Sequence, residues 1–574
     1  MRTTLWAPAR AADDPTRVSG KANVSAGGSA AGAGATLVLL TLAAGQFLMT
    51  LDTSVMNVAI ATVADDVGTD VTGIQTAITL YTLVMATLMI TGGKIGALIG
   101  RKRAFGLGCV IYGAGSFTTA IAPSLPVLLL GWSLLEGVGA ALILPAIVAL
   151  VAANFGPEGR PRAYGLVMAA GAVAVAVGPL IGGLFTTYLS WRLVFAGEVL
   201  IVLGILVLTR RLQDEPAAPR RGIDLVGVVL SAAGLGMAVF GVLRSSVWGW
   251  VSPKPDAPAL LGVSAVLWLI LGGVCLIWLF FEWESRLERR GGEPLVRPSM
   301  LRNVQLLGGL RMFFFQYFVQ SGVFFVVPLF LSVSLGLSAI DTGVRLLPLS
   351  VTLLIAAAGI PRYRPNANPR RVVRLALVAM FAGTVVLLAG IDEDASAEIV
   401  AVPLLLLGLG IGALASQLGS VTVSSVPDEL SPEVGGIQNT ATNIGASLGP
   451  ALAGSVLIAS LTATLIAGID KNPAVPPDVR AKADVQLAGG VPFLSDADLK
   501  AGLADAGVTV DAASAIVEEN AKARLRALRG ALAVIAIVAA LALLFSGGIP
   551  TRQPGSAPVA DTERGPPDLE KALA

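Results

Sequence analysis

The sequence predicts an all-α, polytopic membrane protein with about fourteen transmembrane helices. Composition is the first observation behind this fold class, because 55% of the 574 residues are hydrophobic and only 14% are charged, whereas soluble domains carry about 25% charged residues. The second is the length of the apolar stretches, which reach the roughly 20 residues that cross about 30 Å of hydrocarbon as a helix. Stretches of this length exclude a closed barrel, the other structure that satisfies its backbone in a bilayer.

The apolar stretches are spread over the whole chain. Candidate spans lie near residues 36–60, 73–98, 103–122, 125–153, 162–187, 191–210, 223–244, 257–282, 303–332, 339–360, 371–391, 397–424, 433–466 and 527–548.

Basic residues fall in alternate connections between these spans, which is the third observation. The clusters are Arg101, Lys102 and Arg103; Arg160 and Arg162; Arg210, Arg211, Arg220 and Arg221; Arg286, Arg289, Arg290 and Arg297; and Arg362, Arg364, Arg370 and Arg371. The opposite short connections are acidic or nearly uncharged, with Lys254 as the exception. By the positive-inside rule the basic side is cytoplasmic, which predicts a multi-pass protein of the cell membrane with both termini inside.

Two pairs of segments repeat at one offset of about 270 residues. GPLIGG at 178–183 matches GPALAG at 449–454, and the basic turn at 100–103 matches the one at 368–371. A duplicated six-helix unit explains both matches, with the first six and the last six spans as the halves and the seventh and eighth spans as an inserted pair. Parallel repeats of this kind hold substrate between their halves in transporters.

The spans and the repeat predict five segments. They are a disordered cytoplasmic tail at 1–35, an N-terminal six-helix bundle at 36–212, the inserted pair with its linkers at 213–302, a C-terminal bundle at 303–548, and a second disordered cytoplasmic tail at 549–574. The C-terminal bundle includes an external segment at 467–526 with patterns that suit short amphipathic helices. This segment is interpreted as a partly ordered hairpin or, alternatively, as a lid or docking surface.

Four segments carry a family resemblance over nearly the whole chain. They are LDTSVMNVA at 51–59, GGKIGALIGRKR at 92–103, GPLIGG at 178–183 and YLSWRLVF at 188–195. Together they resemble the fourteen-helix drug:H+ antiporter group of the major facilitator superfamily. The resemblance implies two six-helix bundles plus two inserted helices, and multidrug efflux as the activity.

Three acidic residues are candidates for proton coupling. Asp52 lies inside the first span, where a carboxylate is costly unless it is protonated, hydrated or paired. Glu136 and Glu198 sit at comparable depth and could form a cluster with it, and the chain has no histidine to carry protons instead. The resemblance implies protonation and cation recognition for Asp52. The alternatives are hydration of Asp52 from outside and hydrogen-bonded packing of the two glutamates.

The fourth span departs from the family pattern. Glu136 stands where a glutamine is usual, and Ser133 stands where the family has an arginine associated with proton coupling. The resemblance therefore leaves two readings open, one in which Glu136 takes the role and one in which protons do not drive the carrier.

The loop motif at 92–103 is only partly kept. It retains the residues that turn and anchor the loop, namely Gly93, Gly100, Arg101 and Lys102. Ala97 and Leu98 replace an aspartate and a basic residue, and in the family that aspartate pairs across the interface between the halves. The resemblance implies that this latch is absent or rebuilt.

The segment at 178–183 is similar to the antiporter signature. Pro179 removes a backbone donor and kinks the helix, and Gly178, Gly182 and Gly183 permit close helix contact. Packing alone is the alternative role for such a Gly-Pro pair.

Five polar residues are candidates for the substrate cavity. Gln316 and Gln320 lie one turn apart among aromatic residues, and Asn439 and Asn443 form a polar stripe. Tyr81 occupies a position that lines the cavity in the family. Amides and aromatic faces suit a large amphipathic or cationic ligand, and hydrogen bonding between helices is the alternative.

These observations predict a secondary transporter, not an enzyme, that exports hydrophobic or amphipathic compounds, including cations, in exchange for protons. No cofactor, metal ion or nucleic-acid partner is predicted, and the absence of G-x-x-x-x-G-K-[ST] argues against ATP. The expected partners are the small-molecule substrate, protons and the lipid bilayer, with a monomer as the expected state. Export of lipids or cell-envelope precursors is the main alternative, followed by a non-transporting sensor or a multi-span enzyme.

Overall fold

The computed structural model describes residues 27–155, 160–213, 224–254, 257–426, 431–477, 479, 480, 483, 487, 491 and 493–552. The predicted tails therefore lie mostly outside the described residues. Within them, the first helix begins at Gly27, so residues 27–35 of the predicted N-terminal tail are helical.

The first half of the chain consists of six helical runs. They are α1 (Gly27–Asp66), α2 (Val71–Ile99), α3 (Arg101–Ala120), α4 (Leu125–Leu128) continued by a π-helical stretch (Leu129–Glu136) into α5 (Gly137–Asn154), α6 (Arg160–Tyr188) and α7 (Arg192–Thr209). Local chemistry explains two of the boundaries. The Asp70 side chain caps α2 by accepting a hydrogen bond from the Gly73 amide, and Gly100 turns the chain between α2 and α3 with φ at 100°.

An inserted hairpin follows, made of α8 (Leu225–Trp248) and α9 (Ala265–Arg289). Between them the short strands β1 (Ala259–Leu260) and β2 (Val263–Ser264) pair antiparallel. The hairpin packs against α2 and against a helix of the second half.

The second half contains the remaining helices. They are α10 (Val304–Leu329) with a π-helical extension (Phe330–Ser334), α11 (Ala339–Tyr363), α12 (Pro369–Gly390), α13 (Ala401–Val423), α14 (Ser431–Lys471), α15 (Asp496–Asp505) and α16 (Val510–Leu544).

The two halves repeat the same packing. In the first half α1 packs on α6, α5 packs on both α2 and α3, and α3 packs on α7. In the second half the equivalent pairs are α10 with α14, α13 with both α11 and α12, and α12 with α16. The halves meet through α2 with α14 and through α6 with α11, which are again equivalent pairs. The predicted architecture of two six-helix bundles with an inserted pair is therefore confirmed.

The number of candidate spans among the described helices is approximately consistent with the predicted fourteen. Twelve are long and apolar enough to cross a membrane, and α6 brings the number to thirteen if its bent segments form one span. The 20-residue α3, which contains four glycines, is the fourteenth long helix and is not among these candidate spans.

The segment at 467–526, which was predicted to be external, is more continuous with the neighbouring spans than the sequence suggested. α14 reaches Lys471, and α16 starts at Val510 and runs without a break into the last span. No glycine or proline interrupts 510–526, so the amphipathic stretch and the apolar span form one helix. The Arg524 guanidinium ties this helix to α15 through an ion pair of 2.6 Å with Asp496.

Candidate proton and substrate sites

A cavity of about 150 Å³ lies between the two halves. It is lined by residues of α1, α2, α5, α6, α10 and α14, so both halves contribute to it. Its polar lining comprises Gln46, Thr50, Thr53, Ser54, Asn57, Thr82, Tyr317, Gln320, Ser321, Asn439, Thr442 and Asn443. Its apolar lining includes Met49, Met85 and Phe324. This mixture of apolar walls and a few polar groups is typical of a small-molecule site.

Three of the five residues predicted for this cavity line it, namely Gln320, Asn439 and Asn443. Tyr81 and Gln316 lie outside it. Ile78, Thr82 and Met85 form the cavity face of α2. Tyr81 lies at the edge of this face, three residues after Ile78 and four before Met85, but its ring is fully buried and stacks on Trp132. Gln316 is 3% exposed and lies beside the face of α10 that Tyr317 presents to the cavity.

Inside the N-terminal bundle, the side chains of Asp52, Glu136 and Glu198 converge. One carboxylate oxygen from each lies within 4.8 Å of the others. All three residues are buried, at 0%, 0% and 1% exposure. They come from α1, the π-helical stretch and α7, so only the bundle brings them together.

Hydroxyl groups of α3 hold two of these carboxylates. Tyr112 and Ser116 donate hydrogen bonds of 3.3 and 3.2 Å to Oε2 of Glu198. Thr119 donates a hydrogen bond of 3.4 Å to Oε1 of Glu136. The second oxygen of each acid, like Oδ2 of Asp52, is buried without a hydrogen-bond partner among the described residues. Each therefore has a position for a proton or another ligand.

Trp132 connects this cluster to α2. Its indole N–H donates a 2.7 Å hydrogen bond to Oδ1 of Asp52, and its ring stacks on Tyr81 with 5.3 Å between ring centroids. Ser133, which stands at the position of the missing arginine, donates to the backbone carbonyl of Ala77 at 2.9 Å. The π-helical stretch carries Trp132, Ser133 and Glu136, and such local irregularities are frequent at functional sites.

Three ionised carboxylates this close together in a buried site would repel one another and lack solvation. The cluster can lower that cost by holding protons. Its spacing would also suit a cation, and it is the one group of at least three His, Cys, Asp or Glu in the described part of the chain that is close enough to share one. Oxygen donors of this kind favour hard cations.

The cluster and the cavity are separate but share α1. Asp52 belongs to the cluster, whereas Thr53 and Ser54, which follow it, line the cavity. No acidic or basic residue is among the described residues that line the cavity. A change at the cluster can therefore reach the cavity through α1 without an ion pair to the ligand.

The glycines of the motif at 178–183 have two different neighbours. A methyl group at Gly178 would overlap the Ser54 hydroxyl, inside the same half. A methyl group at Gly183 would meet the Ala339 carbonyl oxygen of α11 at 2.7 Å, across the interface between halves. Gly182 packs on the backbone of α1, and Pro179 lies inside α6.

The repeated motif on α14 follows the same rule. A methyl group at Gly449 would meet the Phe318 carbonyl oxygen of α10 within its own half, and one at Gly454 would meet the Gln75 side chain of the other half. Gln75 also donates a 2.8 Å hydrogen bond to the Pro450 carbonyl. The first glycine of each motif thus packs inside a half, and the last packs between halves.

The loop motif anchors the basic end of α2 and α3. Arg101 donates to the Gly93 carbonyl at 3.3 Å, and Lys102 donates to the carbonyls of Arg210 and Leu212 at 3.1 and 2.9 Å. These contacts lie within the N-terminal bundle. A different residue of the motif reaches out of the bundle, because Lys94 pairs with Glu293 of the α9–α10 connection at 3.4 Å.

Sequence reasoning missed the residues that surround the acids. Tyr112, Ser116 and Thr119 share one face of α3 at spacings of four and three residues, and this polar stripe in a membrane helix was the signal that could have found them. Trp132 carried no such signal, because its contact with Asp52 depends on the π-helical stretch.

Comparisons with known proteins agree with this architecture. The sequence matches the profile described as Major Facilitator Superfamily over residues 42–225 and 218–450. It is 30% identical over 447 residues to the puromycin resistance protein of Streptomyces alboniger, covering 77% of this chain and 85% of that protein. It is 28% identical over 431 residues to the tetracenomycin C resistance and export protein of Streptomyces glaucescens, covering 74% and 76%.

Solved structures share the fold at low sequence identity. A peptide transporter of the POT type in complex with alafosfalin has a TM-score of 0.55 and 14% identity, covering 89% of this chain and 95% of that one. A bacterial homologue of the lysosomal transporter Spinster, in an inward-facing and unoccupied conformation, has a TM-score of 0.53 and 15% identity, covering 90% and 98%.

Proposed function

Because this chain belongs to the major facilitator superfamily, we propose that it exports hydrophobic or amphipathic small molecules from the cell by alternating access, in exchange for protons. Relatives named for puromycin resistance and for tetracenomycin C resistance and export support drug efflux. The observation that supports proton exchange is the buried cluster of Asp52, Glu136 and Glu198. On α1, Asp52 directly precedes Thr53, which lines the cavity.

The proposed arrangement in the membrane follows the charge distribution. The basic connections face the cytoplasm, so both termini are cytoplasmic in the cell membrane and 467–526 is external. Residues 36–212 and 303–548 form the moving bundles, and 213–302 forms the inserted hairpin with its linkers. The protein works as a monomer, because the cavity lies between the halves of one chain.

Protons act on the carrier through α1. When the three acids of the cluster are protonated, their net charge is close to zero and their side chains pack together inside the bundle. Loss of protons leaves ionised carboxylates, which repel one another and attract water. Because Asp52 is followed on α1 by Thr53 and Ser54 of the cavity, a shift of this turn changes ligand contacts as well.

The glycines of the two motifs let the halves rock. The cross-half contact of Gly183 lies near the end of α6, where the Ile340 amide also donates to the Thr187 hydroxyl at 3.0 Å. The cross-half contact of Gly454 reaches Gln75, near the start of α2. Backbone contacts of this kind can part and re-form without loss of a large side-chain interface. Near the cytoplasmic end, the ion pair of Lys94 with Glu293 takes the place of the missing aspartate latch.

Proton movement in proteoliposomes tests this proposal. Puromycin is added outside vesicles that contain a pH-sensitive dye, and wild type is compared with Asp52→Asn. We expect proton flux that needs both the compound and Asp52. Compound flux without proton flux would contradict the coupling and leave a facilitator, whereas no flux with puromycin or with an amphipathic panel would contradict drug export.

A second candidate function is export of a lipid or cell-envelope precursor. It is favoured by an open groove of about 350 Å³ beside α10, lined by Leu310, Arg311, Phe314, Phe315, Ala441 and Phe545. The Arg311 guanidinium lies 5.7 Å from the Phe545 ring centroid. A cation beside an apolar surface suits an anionic headgroup with its acyl chains. The test is movement of a fluorescent phosphatidylglycerol across the membrane of the same vesicles. Movement that Arg311→Gln abolishes would support this candidate, and no movement in wild type would exclude phosphatidylglycerol as a substrate.

A further inference from the structure

The cavity between the halves has an uncharged lining. Its polar groups are amides and hydroxyls, and no acid or base belongs to the described residues around it. The buried acids of the bundle do not line it, since Asp52 is absent from the lining while its neighbour Thr53 is present. A cation entering this space would lose water without meeting an anion, which costs far more than burying a neutral polar group.

Two asparagines of the lining have a fixed orientation. Asn57 on α1 and Asn443 on α14 each donate from Nδ2 to the carbonyl oxygen four residues earlier, Thr53 and Asn439, at 2.8 Å. A carbonyl can only accept a hydrogen bond, so each amide must present its nitrogen to the helix. The side-chain oxygen accepts no hydrogen bond from the described residues and remains for a ligand.

Other polar groups of the lining use their donors in the same way. The hydroxyls of Thr50 and Thr82 donate to carbonyls of their own helices, of Gln46 at 3.0 Å and of Ile78 at 3.1 Å. Oε1 of Gln320 is buried and has no partner among the described residues. The side-chain oxygens of Asn57 and Asn443 are therefore acceptors without a donor among the described residues, and an unpaired acceptor in a buried site is costly until a ligand supplies a donor.

From this geometry we infer that the cavity selects uncharged, flat aromatic compounds that carry hydroxyl or N–H donors, and that it discriminates against organic cations. The inference rests on the proposed export function and names its substrate class. The donors bind the side-chain oxygens of Asn57 and Asn443, and the rings pack on the apolar lining, including Phe324. A volume of about 150 Å³ accommodates a ring system of this type.

Equilibrium binding to the full-length protein in nanodiscs tests this class with three probes that share a two-ring aromatic core. They are 2,6-dihydroxynaphthalene, its dimethyl ether, which keeps the oxygens and loses both donors, and N-methylquinolinium, a permanent cation. We expect the diol to bind wild type about tenfold or more tightly than either of the others, as loss of a hydrogen bond in a buried site implies. Equal binding of the ether, or tighter binding of the cation, would overturn the inference.

A charge placed in the cavity provides an independent check. Asn443→Asp supplies the missing anion, so we expect new binding of N-methylquinolinium. The matched control is Asn154→Asp, because Asn154 also donates to the carbonyl four residues earlier, Leu150 at 2.9 Å, but lies outside the cavity lining. If both variants change cation binding equally, the effect is not local to the cavity and the inference is wrong.

Flux of the same probes separates this inference from the function on which it rests. Preferred binding of the diol without flux in proteoliposomes would contradict export while leaving the ligand class in place. Flux of N-methylquinolinium equal to that of the diol would contradict the ligand class and leave export intact.

Discussion

The indole N–H of Trp132 donates a 2.7 Å hydrogen bond to Asp52, and both side chains are fully buried. This bond fixes the orientation of the Asp52 carboxylate, whose other oxygen, Oδ2, is buried without a partner among the described residues.

Replacement of Trp132 by Phe removes that donor and keeps an aromatic ring beside Tyr81. A hydrogen bond to a charged group contributes about 1.5–3 kcal/mol, and we expect its loss to shift the pH profile of transport by about one to two pH units. The profile is measured as compound flux at fixed proton gradient over a series of pH values. The control is Trp191→Phe, which removes a similar indole bond, of 2.8 Å to Asp66, at the helix end. An unchanged profile in Trp132→Phe would show that Asp52 does not titrate in the cycle.

Substitution of Glu136 by Gln restores the residue that is usual in the family and removes one proton site from the cluster. We expect fewer protons to move per exported compound, with flux retained. The ratio of protons to exported compound is obtained from the compound gradient at which net flux stops under an imposed pH gradient. Glu282→Gln is the matched control, because Glu282 pairs with Arg286 at the basic end of α9, away from the cluster. The same ratio in all three proteins would make Glu136 a packing residue.

A methyl group at Gly183 separates the halves. Gly183→Ala places a carbon 2.7 Å from the Ala339 carbonyl oxygen, and relief of such an overlap costs about 1–3 kcal/mol. Since the contact lies across the interface, we expect transport to fall by about tenfold or more while thermal stability changes little. Gly204→Ala is the control, because nothing lies within 4 Å of a methyl group there. Normal transport by Gly183→Ala would show that this contact does not limit the cycle.

The ion pair of Lys94 with Glu293 links α2 to the connection that follows the inserted hairpin. The side chains are 20% and 39% exposed, so the pair contributes roughly 0.2–1 kcal/mol. We expect Lys94→Glu and Glu293→Lys each to change the transport rate by up to about fivefold, and the double exchange to restore most of it. A double-mutant cycle of initial rates measures the coupling. Additive effects would mean that the pair is not a latch.

The sequence was sufficient for most of the fold. The bilayer requires every spanning segment to be long and apolar by itself, so each span is visible in the local sequence. The repeats at 178–183 and 449–454 reveal the duplicated unit without any knowledge of packing. Hydropathy could not place the start of α16 at Val510, because an amphipathic extension looks like a separate element until it is seen to continue the same helix.

The sequence by itself also singled out Asp52, Glu136 and Glu198, since carboxylates inside apolar spans are conspicuous one by one. Only the tertiary structure decided which faces they share. Tyr81 was assigned to the cavity but stacks on Trp132, and a π-helical stretch turns Trp132 toward Asp52. The orientation of a side chain around a buried helix depends on neighbours from distant parts of the chain, and no local pattern in the sequence records them.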